Sequence, residues 1–355
     1  MWAYYYLFIF SALIGVSPLP KKGKVITLII ILSLFAGTRL EIDNDYGLYE
    51  YNIRYIETSI KDFATRNIPM EWCMYAIPNF LGLFTQSKTE IINYSFLIFA
   101  LLGVGTKMTA ISRLAPFFFL SFLLYMSNLY FMQEMTTIRA GVAAGIFLLS
   151  IRNIERGENL KFFLKIVLCF FFHSSSVVFV LYWILIKLKI DIKYYYYAVI
   201  VSLIFVVLKL NILSILMLDQ VFDRVRMYIE AMKWSKDGNV NIFNFKAVFA
   251  TLIMIIFAYN YKKLKKIEYF DVLFKAHVFS LFLFFILSIS AQVFSLRTFE
   301  MFSVVQILLY PYLIYVFPPK LKILGWATVF IFTIIQVYYI IDVADIYKPY
   351  KSWFF

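Results

Sequence analysis

Between Thr38 and Tyr49 the chain reads Thr-Arg-Leu-Glu-Ile-Asp-Asn-Asp-Tyr-Gly-Leu-Tyr, which gathers one guanidinium (Arg39), three carboxylates (Glu41, Asp43, Asp45) and two phenols (Tyr46, Tyr49). Isolated Arg139 and Arg297, and His173 ahead of three serines, stand out among the polar residues that interrupt the long apolar runs. Guanidinium groups hold phosphate oxygens in a fixed two-pronged geometry, whereas lysine acts as a looser point charge. A departing pyrophosphate needs positive charge already in place, because negative charge grows on its bridging oxygen as the bond breaks. Asp45 or His173 suits removal of a proton from an attacking hydroxyl, and tyrosine rings offer flat faces to sugars. Each residue also has a plain role. Arg39 and Arg139 suit helix ends from which they snorkel to lipid phosphates, His173 suits the capping of backbone groups, and Tyr46 and Tyr49 suit an interfacial aromatic belt.

Composition decides which elements hold these groups. The chain of 355 residues is 63% hydrophobic and 21% aromatic but only 15% charged. That is too little charge to cover a soluble domain. The apolar runs are long and do not alternate, which predicts a polytopic all-α membrane protein rather than a transmembrane barrel. The first helix ends at Pro18-Leu-Pro20-Lys-Lys without a small-residue cleavage site, so no removable signal is expected. The net charge of +13 comes largely from lysines in short loops. The positive-inside rule explains those lysines without nucleic acid. Two separated cysteines, Cys73 and Cys169, and two histidines make no metal-ligand pattern. No nucleotide-binding motif is present, so no metal and no cofactor is expected.

Basic stretches at 21–24, 107–113, 152–161, 187–193, 262–266 and 320–322 are expected on the cytoplasmic side. Joining them with apolar runs gives about twelve crossings with both termini external. The segment 70–84, which carries Pro78, is expected to be interfacial or re-entrant, and Gln133 to Arg139 an external loop. The whole of 1–355 reads as one integral membrane domain, with external loops at about 38–90 and 211–240 forming an outer cavity. In this scheme Arg39, Asp45, Arg139, His173 and Arg297 all fall at external helix ends, with His173 at the tip of a short hairpin. Arginine there runs against the usual bias, and Arg297 also opposes its helix dipole. The mixed-charge stretch 219–237, with Asp223, Arg224, Arg226 and Trp234, suits either a solvated amphipathic helix or a cap over the cavity.

The order Arg39-x-x-Ile42-x-x-Asp45-Tyr46-x-x-Tyr49, Ile138-Arg139-x-Gly141-x-Ala143, Phe172-His173-Ser-Ser, Arg297-x-Phe299-x-x-Phe302 and Tyr347-x-Pro349-Tyr350 resembles EpsG-like proteins, the Wzy-type polymerases of O-antigen, capsule or exopolysaccharide repeat units. The resemblance runs the length of the chain. It implies a GT-C-like glycosyltransferase of the bacterial plasma (inner) membrane, working on the outer face. Such an enzyme transfers a growing glycan from undecaprenyl pyrophosphate onto a new lipid-linked repeat unit and releases undecaprenyl pyrophosphate. The implied partners are the lipid-linked donor and acceptor, membrane lipid and a chain-length regulator protein. Matching positions are Arg39, Tyr49, Arg139 and Arg297 for pyrophosphate and glycan, with Asp45 and His173 as catalytic groups. Many relatives read Ile-Gly-x-Asp where this chain has Ile42-Asp43-Asn44-Asp45, so which aspartate is functional stays open. The rival readings are an O-antigen ligase, which should carry a large external loop with its own histidine, and a lipid-linked oligosaccharide flippase, which should carry charge through the membrane depth.

Overall fold

The computed structural model describes residues 1–66, 70–221, 226, 230, 240–290 and 292–354. Among them regular structure is helical, with two isolated antiparallel bridges, Arg39 with Ser352 and Asp43 with Tyr347, and no longer strand. Four stretches among the described residues are long and apolar enough to cross a bilayer: Lys88–Leu114, Phe270–Ser288, Phe294–Val316 and Pro319–Val343. Five shorter apolar helices accompany them: Trp2–Val16, Phe118–Ser127, Ser174–Lys187, Ile192–Val207 and Phe245–Tyr259. The chain is thus a helical membrane protein, and any count of crossings near twelve must draw on the shorter helices as well.

The helices fall into two compact units, 1–177 with 313–355, and 178–312. The first contains α1 (Trp2–Val16), α2 (Lys21–Gly37), α3 (Tyr46–Arg54), α4 (Ile60–Ala64), α5 (Cys73–Leu81), α6 (Lys88–Leu114), α7 (Phe118–Leu124), a π-helix (Tyr125–Thr136), α8 (Ile138–Glu155), α9 (Asn159–Phe172) and the C-terminal helix Lys322–Tyr338. Within it α2 packs on α6, α6 on α8, and α8 on α9. α9 shows why these segments fold as membrane helices. It buries Phe162, Ile166, Cys169 and Phe172 along one stripe, while Leu160, Leu164, Val167 and Phe170 stand exposed on the rest of its surface. Apolar residues on both the packed and the exposed face suit lipid as the surrounding medium. The small residues of α8 set its distance from its neighbours. A Cβ on Gly141 would overlap the Gln133 carbonyl, and one on Gly145 would overlap Thr106 Oγ1.

In the second unit the buried helix Phe270–Ser288 is packed by Ile192–Val207, Phe245–Tyr259 and Gln292–Ser303. Phe179, Tyr182, Phe279 and Phe302 form a ring cluster there, and Tyr182 Oη donates to the Val272 carbonyl at 2.5 Å.

Two loop assignments are corrected. The stretch 107–113 is no cytoplasmic loop, because α6 runs unbroken to Leu114 and Lys107 is fully buried within it. Its ammonium meets Glu134 Oε1 at 2.6 Å and donates to the Gly141 carbonyl at 2.7 Å. Likewise Gln133 to Thr136 is no external loop. It continues the π-helix, with Gln133 and Glu134 buried, and Tyr125 Oη donates to Glu134 Oε1 at 3.0 Å. Sequence hydropathy treats every charge as a water-seeking group, whereas an internal ion pair neutralises two of them within the bundle.

Candidate active site

The polar segment after α2 is held by an internal pair and by the far end of the chain. Arg39 is fully buried and spends each of its nitrogens on protein: Nε on Asp43 Oδ2 at 2.8 Å, Nη1 on the Ala36 carbonyl at 2.8 Å, and Nη2 on the Met135 carbonyl of the π-helix. Its guanidinium also lies 4.6 Å from the centre of the Phe96 ring. The other Asp43 oxygen, Oδ1, accepts from the backbone N–H of Asp45 at 3.1 Å. This side-chain-to-backbone turn starts α3. The C-terminal segment runs antiparallel beside 38–43. Leu40 N–H donates to Lys351 O at 2.9 Å, Lys348 N–H to Ile42 O at 2.9 Å, and Trp353 N–H to Thr38 O at 3.0 Å. The Tyr347 and Thr136 hydroxyls are 2.9 Å apart, and Tyr350 donates to the Phe35 carbonyl at 2.9 Å. Tyr347-x-Pro349-Tyr350 therefore clamps the Arg39 segment to the π-helix and α2. Beside it lies an open depression of about 310 Å³, lined by Glu41, Asp43, Asn44, Tyr46, Glu50 and Lys348.

A second cluster forms where α3, α5, α8 and α9 approach. Tyr49 sits on the buried stripe of α3 with Tyr46 and Ile53. Arg139, in the first turn of α8, places its guanidinium 5.3 Å from the Tyr49 ring centre and donates from Nε to Tyr49 Oη at 3.5 Å. Its Nη1 makes an ion pair with Glu71 Oε2. The opposite carboxylate oxygen, Glu71 Oε1, lies 3.3 Å from His173 Nδ1 and accepts from Ser174 Oγ at 3.5 Å. His173 is where α9 ends. Its backbone is extended, at φ −152° and ψ 116°, and a single 3-10 turn, Ser174–Val177, follows. Burial opposes charge on Glu71, but His173 and Arg139 outweigh it and hold the carboxyl down at about 2. Burial pushes the Tyr49 phenol up against the pull of Arg139.

The two arginines therefore differ in kind. Arg39 has no exposed surface and no unspent nitrogen, while the Arg139 side chain is 24% exposed and its Nη2 has no partner among the described residues.

Of the residues singled out from sequence, Tyr49, Arg139 and His173 come together around Glu71. Asp45 is half-buried at the N-terminus of α3, one turn before Tyr49, where its charge reaches the Tyr49 phenol. Arg39 pairs with Asp43 rather than joining that group. Arg297 is exposed in the second unit, within Gln292–Ser303. The stretch 219–237 lies largely outside the described residues, as does 67–69 of the expected 38–90 loop. Glu71 was missed. A lone acid ahead of a short apolar helix reads as an ordinary interfacial charge, and only the fold brings α8 and α9 to it. Among the described residues no three His, Cys, Asp or Glu side chains gather in a metal-ligating group.

No curated protein and no solved structure matches this chain. A family model described as EpsG family matches residues 24–352, across both units and every cluster above, and the chain belongs to the EpsG family.

Proposed function

We propose that this protein is a membrane polysaccharide polymerase, a glycosyltransferase that joins undecaprenyl-pyrophosphate-linked repeat units on the outer face of the bacterial inner membrane. The observation that carries this reading is Arg139, a half-buried guanidinium held by Tyr49 and Glu71 with its Nη2 unspent, beside the His173 imidazole. Family membership supports the same general role.

In this reading Arg139 grips the donor pyrophosphate and balances the charge that grows on the oxygen leaving the sugar. The acceptor hydroxyl loses its proton as it attacks the anomeric carbon. The new glycosidic bond forms, the bond to the phosphate oxygen breaks, and undecaprenyl pyrophosphate departs. With Glu71 beside Nδ1, the other imidazole nitrogen of His173 takes that proton. Asp45, one turn below Tyr49, binds glycan hydroxyls or serves as the base in place of His173. Arg39 acts behind the site by holding Asp43 and the start of α3.

Complementation of a polymerase-deleted strain tests the reading at matched protein levels, with the polymer ladder read on a gel. Wild type should restore the ladder, and Arg139→Ala and His173→Ala should leave single repeat units. A full ladder from both variants overturns the site. Loss of all surface glycan in the deletion strain, rather than a single capped unit, favours a ligase or flippase instead.

A further inference from the structure

α8 and α9 carry a second charged feature at the end away from Arg139. Arg152 lies thirteen residues along α8 from Arg139, about 20 Å at the helical rise. There the last turns of α6 and α8 meet the first turns of α9 around an open cavity of about 350 Å³. Its charged lining is Arg113, Arg152, Lys161 and Lys165 against one carboxylate, Glu158.

That carboxylate is already engaged, by Lys161 at 3.2 Å and by Asn153 Nδ2 at 2.6 Å. Lys165 is turned to protein acceptors, the Leu149 carbonyl at 2.9 Å and Asn153 Oδ1 at 2.5 Å. No ion pair or side-chain hydrogen bond joins Arg113 or Arg152 to any described residue. A single arginine at a helix C-terminus is accounted for by the helix dipole. Two unpaired guanidiniums facing one cavity, with their charges also bearing on Lys165, are a repulsive arrangement that an anion relieves.

We infer that this cavity binds a phosphate group, gripped by Arg113 and Arg152. Two forked guanidiniums fit phosphate oxygens, and the convergence of three helix ends brings both to one cavity. The phosphate belongs either to an anionic lipid headgroup or to a free phosphate, and the site is separate from the Arg139 cluster.

The test uses purified full-length protein in neutral detergent and follows its thermal midpoint during titration with phosphatidylglycerol, or with inorganic phosphate against chloride at equal ionic strength. A midpoint rise with phosphatidylglycerol alone identifies a lipid site, and a rise with phosphate identifies free phosphate. For Arg113→Gln/Arg152→Gln the probe concentration giving the same rise should increase more than about tenfold. Arg156→Gln, which removes a nearby charge outside the cavity, should titrate like wild type. Arg113→Lys/Arg152→Lys keeps the charge without the fork, should weaken binding less, and carries the test if the glutamine pair does not fold. Equal titration of wild type and both double variants, or no response to either probe, overturns the inference.

Discussion

Arg139 and Glu71, 68 residues apart in the chain, form an ion pair with side-chain exposures of 24% and 11%. Neither residue is deep in the bundle, and neither is free in solvent. That intermediate burial strengthens their attraction while leaving one edge of the Arg139 guanidinium for a ligand.

The first consequence concerns rate. Arg139→Ala should lower polymer formation by roughly 10²–10³ if its charge stabilises the departing pyrophosphate. Arg139→Lys should recover only part of this, because an ammonium keeps the charge but loses the fork. Turnover of a lipid-linked repeat unit by purified variants checks both.

Arg39 should behave differently, because its loss acts on the fold. Arg39→Ala leaves Asp43 as a buried, uncompensated carboxylate, and breaking such a pair costs about 3–5 kcal/mol. The expected result is a low thermal midpoint and poor accumulation in the membrane. The double change Arg39→Met/Asp43→Leu should restore part of the midpoint, since the orphaned charge goes with its partner. A stable but inactive Arg39→Ala would contradict this assignment.

Acid should dissolve the Glu71 cluster in a defined window. Glu71 is held at about 2 in the fold against an ordinary 4.5, with burial opposing the charge and His173 and Arg139 outweighing burial. A depressed folded value means that the stabilisation is complete above about 4.5 and is lost as pH falls toward 2. The difference in thermal midpoint between wild type and Glu71→Gln should therefore shrink as pH falls from about 4.5 toward 2. A difference that grows on acidification refutes the sign.

Gly141 sits against the Gln133 carbonyl, two residues beyond Arg139, and a Cβ there meets backbone rather than a movable side chain. Gly141→Ala should cost about 1–3 kcal/mol by overpacking. It should also shift the first turn of α8, so activity should fall by more than the loss of folded protein explains. Activity per unit of folded enzyme separates the two effects.

Removing the C-terminal strap should loosen the Arg39 segment. Deletion from Tyr347 onward removes the three backbone hydrogen bonds of Leu40, Lys348 and Trp353 along with the Tyr347 and Tyr350 contacts. Limited proteolysis should then cut within 38–48 of the variant and spare wild type. Tyr347→Phe, which loses one hydroxyl contact, should cost about 1 kcal/mol.

Composition and hydropathy alone determined the helical membrane class, because no soluble or barrel arrangement accommodates so many long apolar runs. Local spacing likewise marked Arg39, Tyr49, Arg139 and His173 as unusual, since isolated polar groups between apolar runs stand out in one dimension. What spacing does not contain is the partner of each charge. Arg39 finds Asp43 four residues away and is consumed by it. Arg139 finds Glu71, which no pattern advertised, and Lys107, which hydropathy assigns to a loop, finds Glu134 inside the bundle. In a low-dielectric interior the meaning of a charge is set by what compensates it, and compensation comes from helices that are distant in sequence. Only the tertiary arrangement therefore separated a structural arginine from an available one.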